Sequence, residues 1–287
     1  MKRFAALSAI LLIPFIMNAN GTKPSWHGPD RPIYVVTQNH YAEGFGPEGE
    51  TARFTDLIAI EIYNPKARPT GQDATYNVGE KIGLFVGGQR QGNIKIEKVL
   101  GLQCDSSAAV VSADTSAGWD KDVMALGTNA SGISGHASAQ RPANEAEKSI
   151  AKRLAVAEFR KHGVPEQLAR EIQFAQAVVT KLDQNRHDSL VANVFIKTKA
   201  RVHELFLIGK LDGTDASTEF TRYHLTKDVE DGMDSEDYRF VDQLDLDGDG
   251  TDEIVVEVTG YESEEFRILK RVNGLWIRVH VGGAGGC

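Results

Sequence analysis

Apolar and polar residues alternate along most of this chain, and a period of two predicts strands. Residues 57–63 place Ile58, Ile60 and Ile62 on one face, the pattern of a half-buried strand. Residues 33–37, 81–87, 93–100 and 107–112 read as further strands. Gly87, Gly88 and Gly92 flank residues 89–91 as a hairpin turn. These segments predict a β domain over 33–112. Residues 113–141 are rich in Ser, Gly, Ala and Asn and lack sustained periodicity, so they read as a linker or long loop.

The period then changes to that of a helix. Pro142 and Asn144 mark its start, and Glu145 and Glu147 sit in the first turn, where the helix dipole favours anions. Ile150, Leu154, Ala157 and Phe159 approximate an apolar stripe, and Gly163 suits the end. Pro165 opens a second helix with Leu168, Ile172 and Phe174 facing inward. Strands return over 175–179, 190–197, 204–210, 239–244, 254–258, 265–272 and 275–281, and Asn273-Gly274 is a two-residue hairpin turn. The expected fold class is α+β: an N-terminal β domain, a linker, and a helical hairpin packed on a β-rich domain over 142–287.

That last domain contains an internal repeat. A shift of 64 positions aligns Leu182, Asp183, Asn185, Asp188, Leu190, Val191 and Val194 with Leu246, Asp247, Asp249, Asp252, Ile254, Val255 and Val258. Both segments read as strand, loop, strand, which predicts two related units over about 175–213 and 239–281.

Composition adds three constraints. The chain has 287 residues, 41% of them hydrophobic and 25% charged, enough for a real core. A net charge of −8 gives no electrostatic reason to bind nucleic acid or anionic lipid. Lys2 and Arg3 precede an apolar run over 4–17 and a small polar stretch, the pattern of a secretory signal peptide over 1–21. The run is short for a stable span, so the expected mature chain is secreted or periplasmic, with no stable membrane span. In that setting Cys104 and Cys287 can form a disulfide, or stand as two independent thiols. The acidic residues of 228–237 read as a solvated loop.

The sharpest chemistry lies in Asp245-Leu246-Asp247-Gly248-Asp249-Gly250-Thr251-Asp252-Glu253. Calcium takes six to eight oxygen ligands in flexible geometry. Carboxylates at loop positions one, three and five converge if the chain turns at Gly250. Thr251 can then add a carbonyl and Glu253 a further carboxylate, while Asp252 points elsewhere and secures the turn. An EF-hand is excluded, because position twelve is Val256 and the β-branched run after the loop reads as a strand. The loop resembles the integrin-type FG-GAP and related VCBS repeats. That resemblance covers about residues 238–280 and implies calcium ligands at Asp245, Asp247, Asp249, Thr251 and Glu253. It also implies a role in extracellular binding. The chain has room for only a fragment of that family's propeller. In the earlier copy Lys181, Arg186 and Ser189 replace an acid, the turn glycine and the last carboxylate, so no calcium is expected there.

No catalytic motif emerges. Gly44 to Gly49 matches a dinucleotide fingerprint formally, but it contains a proline and lacks a strand–helix context. The eight histidines show no zinc spacing. Trp276 reads as core; Trp119 is the better candidate for contact with a partner. The expectation is an exported, calcium-stabilised, non-enzymatic module binding a carbohydrate or a cell-surface protein. The alternative is an exported hydrolase whose calcium is purely structural.

Overall fold

The structure, a computed structural model, describes residues 26–38, 56–66, 76–101, 107–115, 124–135, 140–183, 187–213, 215–227 and 234–286. The signal segment, Cys104, Cys287, Trp119 and Gly44 to Gly49 lie outside the described residues. Strands dominate, with helices a minor part, consistent with an α+β chain rich in β-structure.

The first six strands close into a barrel: β1 (Ile33–Gln38), β2 (Leu57–Tyr63), β3 (Lys81–Val86), β4 (Gln89–Gly101), β5 (Ser107–Thr115) and β6 (Met124–Thr128), in the order β1-β2-β5-β4-β3-β6. Tyr34, Val36, Ala59, Ile82, Leu84, Ile94, Ile96, Ala109 and Ala125 form one core cluster of the barrel. The alternate residues Ile33, Val35, Ile58, Ile60 and Ile62 belong to a second, equally dry cluster. The expected isoleucine face of β2 therefore packs against another layer. β6 corrects the expectation of a loop across 113–141. All five of its residues are buried, so it shows no alternation. The β3–β4 turn is tighter than expected: Val86 pairs with Gln89, and Gly87 and Gly88 both take positive φ (61° and 74°), as a two-residue hairpin turn requires.

Helix α1 (Glu145–Lys161) starts on a capping box, in which Asn144 accepts from the Glu147 amide while the Glu147 carboxylate accepts from the Asn144 amide. Its buried face is Ala151, Ala155 and Phe159, spaced by four; Ala157, placed in the stripe by sequence, is exposed. The second helix, α2 (Glu166–Ala169), is a single turn, and Phe174 belongs to a strand. Thus α1 mainly supplies the helical layer. It packs with Val179, Leu190, Ala192, Val194, Leu205 and Leu207 on a five-stranded sheet. That sheet has the order β11-β10-β9-β8-β7 and comprises β7 (Arg141–Pro142), β8 (Gln173–Thr180), β9 (Ser189–Lys197), β10 (Val202–Asp212) and β11 (Asp215–Thr226).

A four-stranded antiparallel sheet follows in sequence order: β12 (Glu236–Leu244), β13 (Glu253–Gly260), β14 (Ser263–Val272) and β15 (Leu275–Gly286). Asn273 and Gly274 form its last turn, both at positive φ. Glu236 and Asp237, read as part of a solvated loop, belong to β12. This sheet is apolar on both faces. Tyr238, Phe240, Ile254, Val256, Leu269 and the buried Trp276 pack with Val191, Phe206 and Ile208 of the five-stranded sheet. Val241, Leu244, Val255, Phe266 and Ile268 pack against the barrel. The layers run helix, five-stranded sheet, four-stranded sheet, barrel. The segments 175–213 and 239–281 lie in adjacent meanders, β8-β9-β10-β11 and β12-β13-β14-β15, the first of which runs on through β11 beyond the expected unit. Their acidic loops touch: Asp183 bridges Thr251, and the Asp252 amide donates to the Leu182 carbonyl at 2.9 Å.

Candidate metal centre

The acidic loop joins β12 to β13. Asp245 organises it: one carboxylate oxygen accepts from the amides of Gly248 (2.8 Å) and Asp249 (3.0 Å), the other from Gly250 (3.0 Å). Asp249 accepts from the Thr251 amide at 2.9 Å. Glu253, at the start of β13, is fully buried, and one of its oxygens accepts from the Leu246 amide at 2.8 Å. Asp245, Asp247 and Glu253 each bring one oxygen to within 4.8 Å of the others, a spacing that can hold a metal ion. The donors are all carboxylate oxygens, the hard ligands that suit calcium or magnesium rather than zinc or copper.

Three of the five expected ligands, Asp245, Asp247 and Glu253, form this group of side chains. Asp249 stands outside the triad, and the Thr251 amide donates to Asp249 while Thr251 bridges Asp183. Asp252 is fully buried beside the other repeat.

A residue that the sequence did not single out enters the loop from β14. The Lys270 ammonium lies 2.8 Å from Asp247, 2.7 Å from Asp249 and 2.7 Å from Glu253. Ile254 pairs with Leu269, so the β13–β14 register places Lys270 opposite Glu253. Burial alone would pull the ammonium pKa down, but hydrogen bonds to Asp247, Asp249 and Glu253 outweigh it and hold the value above normal. Burial pushes Glu253 up to about 7; Lys270 opposes this and Asp247 adds to it. Three carboxylates (Asp247, Asp249 and Glu253) thus share one ammonium, and Asp245 lies within 4.8 Å of two of them, an excess of carboxylates over ammonium in the loop.

Just upstream, Asp242 ties this sheet to the barrel. It is fully buried, and its oxygens accept from the amides of Gly87 and Gly88, both at 2.9 Å, and of Gln243 at 2.8 Å. Burial drives its pKa up to about 8 despite those three donors, and Asp252 adds to the rise.

A second titratable cluster sits at the far end of the two sheets. Glu236 contacts Arg222 (3.1 Å) and Arg267 (2.8 Å) and accepts from the Tyr238 hydroxyl (3.0 Å), while Asn193 donates to Asp237 at 2.8 Å. Beside them Glu204 is pushed up to about 7 by burial and then by Asp237 and Glu236. Glu257 is also pushed up to about 7, by burial and then by Glu264, with Arg239 opposing.

The chain matches no family model, and neither a curated protein nor a solved structure matches it. Among the described residues no helix is long and apolar enough to cross a membrane.

Proposed function

We propose that the β12–β13 loop binds one divalent cation, calcium by its donor chemistry, and that the protein is an exported, non-enzymatic binding module stiffened by that cation. The observation that carries this reading is the convergence of Asp245, Asp247 and Glu253 within 4.8 Å. The excess of carboxylates over the single Lys270 ammonium supports it, because a divalent ion offsets charge that one lysine leaves. Three protein oxygens leave room for water, as calcium's coordination number requires. The likeness of the loop to FG-GAP and VCBS repeats supports calcium and an extracellular role, with a carbohydrate or a cell-surface protein as partner. The signal-like N-terminus supports export to the periplasm or the medium.

Calcium titration by calorimetry tests the site, on the full chain and on Asp247→Ala. One binding event that vanishes in the variant is the expected result. No heat from the wild type would leave the loop a salt-bridged turn closed by Lys270 alone. That second reading is favoured by the three contacts of Lys270 at 2.7 to 2.8 Å. The competing hydrolase reading draws on Glu204 and Glu257, whose raised values suit general acid–base work. Hydrolysis of chromogenic glycosides or esters that is lost in Glu204→Gln would favour it over the binding module.

A further inference from the structure

We propose that Lys270 is a displaceable, tethered cation: it closes the β12–β13 loop in the absence of metal, and it withdraws to Asp249 when a divalent ion takes Asp247 and Glu253. This inference rests on the reading of that loop as a cation site, and it assigns how the site is regulated. The Lys270 ammonium lies 2.9 Å from Oδ1 of Asp247 and 2.8 Å from Oδ2. At Glu253 it holds Oε1 at 2.7 Å, while Oε2 accepts from the Leu246 amide. An ion held by Asp245, Asp247 and Glu253 therefore has to use oxygens that the ammonium already occupies. Two positive charges on the same oxygens repel, and most strongly where water is excluded. Glu253 is fully buried and Lys270 is 8% exposed, so little solvent screens them. The triad is thus more than an acidic cluster, because the chain already seats a cation against two of its members.

The lysine is the part able to give way. Asp245 is fixed by the amides of Gly248, Asp249 and Gly250, and Glu253 by that of Leu246. The lysine ammonium instead hangs on a flexible stem with rotatable donors. Its third partner also differs from the other two. Asp249 stands outside the triad, and its side chain is 44% exposed. One Asp249 oxygen accepts from the Thr251 amide at 2.9 Å; the other holds the ammonium at 2.7 Å. Lys270 can keep Asp249 on the solvent side while it releases Asp247 and Glu253. Asp249 is then the lysine's second seat rather than a ligand of the ion. Metal binds only the molecules whose lysine has withdrawn, so the apparent affinity falls below the intrinsic one by that fraction.

Calcium calorimetry on the full chain, on Lys270→Met and on Asp249→Asn tests the exchange, together with acetylation of the wild type read by mass spectrometry. Lys270 is expected to be acetylated severalfold faster in saturating calcium than in chelator, with the exposed lysines as internal reference. Lys270→Met is expected to bind calcium at least about tenfold more tightly than the wild type. Asp249→Asn keeps the acceptor for the Thr251 amide and is expected still to bind one calcium. The acetylation uses the wild type, so it decides the matter even if Lys270→Met fails to fold. Lys270 that stays protected in saturating calcium, or wild-type affinity in Lys270→Met, would overturn the exchange and leave the cation site standing. Loss of calcium binding in Asp249→Asn would make Asp249 a ligand and overturn its role as the second seat. No calcium heat from either the wild type or Lys270→Met would overturn the cation site itself.

Discussion

Lys270→Met separates the internal ammonium from the proposed metal. Methionine keeps most of the buried stem and removes the charge, leaving Asp247, Asp249 and Glu253 without their shared partner. Breaking a buried ion cluster from one side costs about 3–5 kcal/mol, because the remaining charge stays buried. Glu253 is fully buried, whereas the Asp249 side chain is 44% exposed and can turn to solvent, so the lower end applies. At roughly 2–4 °C per kcal/mol for a chain of this size, about 3 kcal/mol lowers the melting temperature by about 6–12 °C in chelator. Calcium at a hundred times its dissociation constant returns about 2.7 kcal/mol. In the wild type the ion must share Asp247 and Glu253 with the ammonium. The calcium-induced rise is therefore larger in Lys270→Met than in the wild type. Circular-dichroism melts of both proteins, in chelator and in calcium, supply the four midpoints needed. A metal-free variant melting within about 2 °C of the wild type, or a calcium response no larger than the wild type's, would refute the reasoning.

Two further outcomes follow from the buried carboxyls. Asp242→Ala strips the partner from the Gly87 and Gly88 amides at a closed interface, at about 1–3 kcal/mol for each unsatisfied group; urea denaturation will show a lower midpoint, and Asp242→Asn, which keeps one acceptor, a smaller loss. Asp242, Glu204 and Glu257 carry folded values of about 8, 7 and 7, above the ordinary carboxylate range, so folding favours their protonated forms. Their contribution is complete below about pH 4 and is lost as pH rises through 7 to 8. With metal chelated and ionic strength fixed, the melting temperature falls between pH 5 and pH 8; a flat or rising profile would contradict these environments.

β2 was legible because its three isoleucines alternate, and β1, β9 and β13 because short runs of branched residues mark a strand even when both faces are buried. β6 was not, since Met124 to Thr128 is buried throughout and sits in a stretch rich in small residues. β11 failed for the opposite reason: this edge strand is mostly polar and half-exposed, so nothing in its pattern marks a core face. The acidic loop stood out because its spacing is local. Lys270 did not, because its role depends on the pairing of β13 with β14, which brings together residues 17 to 23 positions apart. Asp242 was hidden further still, its acceptors facing amides 154 and 155 positions away.

The position of the loop explains why a cation there would act on more than the loop. Leu246, whose amide holds Glu253, is buried in the core shared with the barrel. Leu182, whose carbonyl takes the Asp252 amide, is buried in the core between the two sheets. A single turn of chain thus touches both faces of the central sheet, and Asp242 anchors the strand that leads into it. Repulsion among the loop carboxylates would be felt at both interfaces at once. Neutralising it, by Lys270 or by a divalent ion, tightens the junction of three layers, and the barrel is held against the rest of the molecule through that junction.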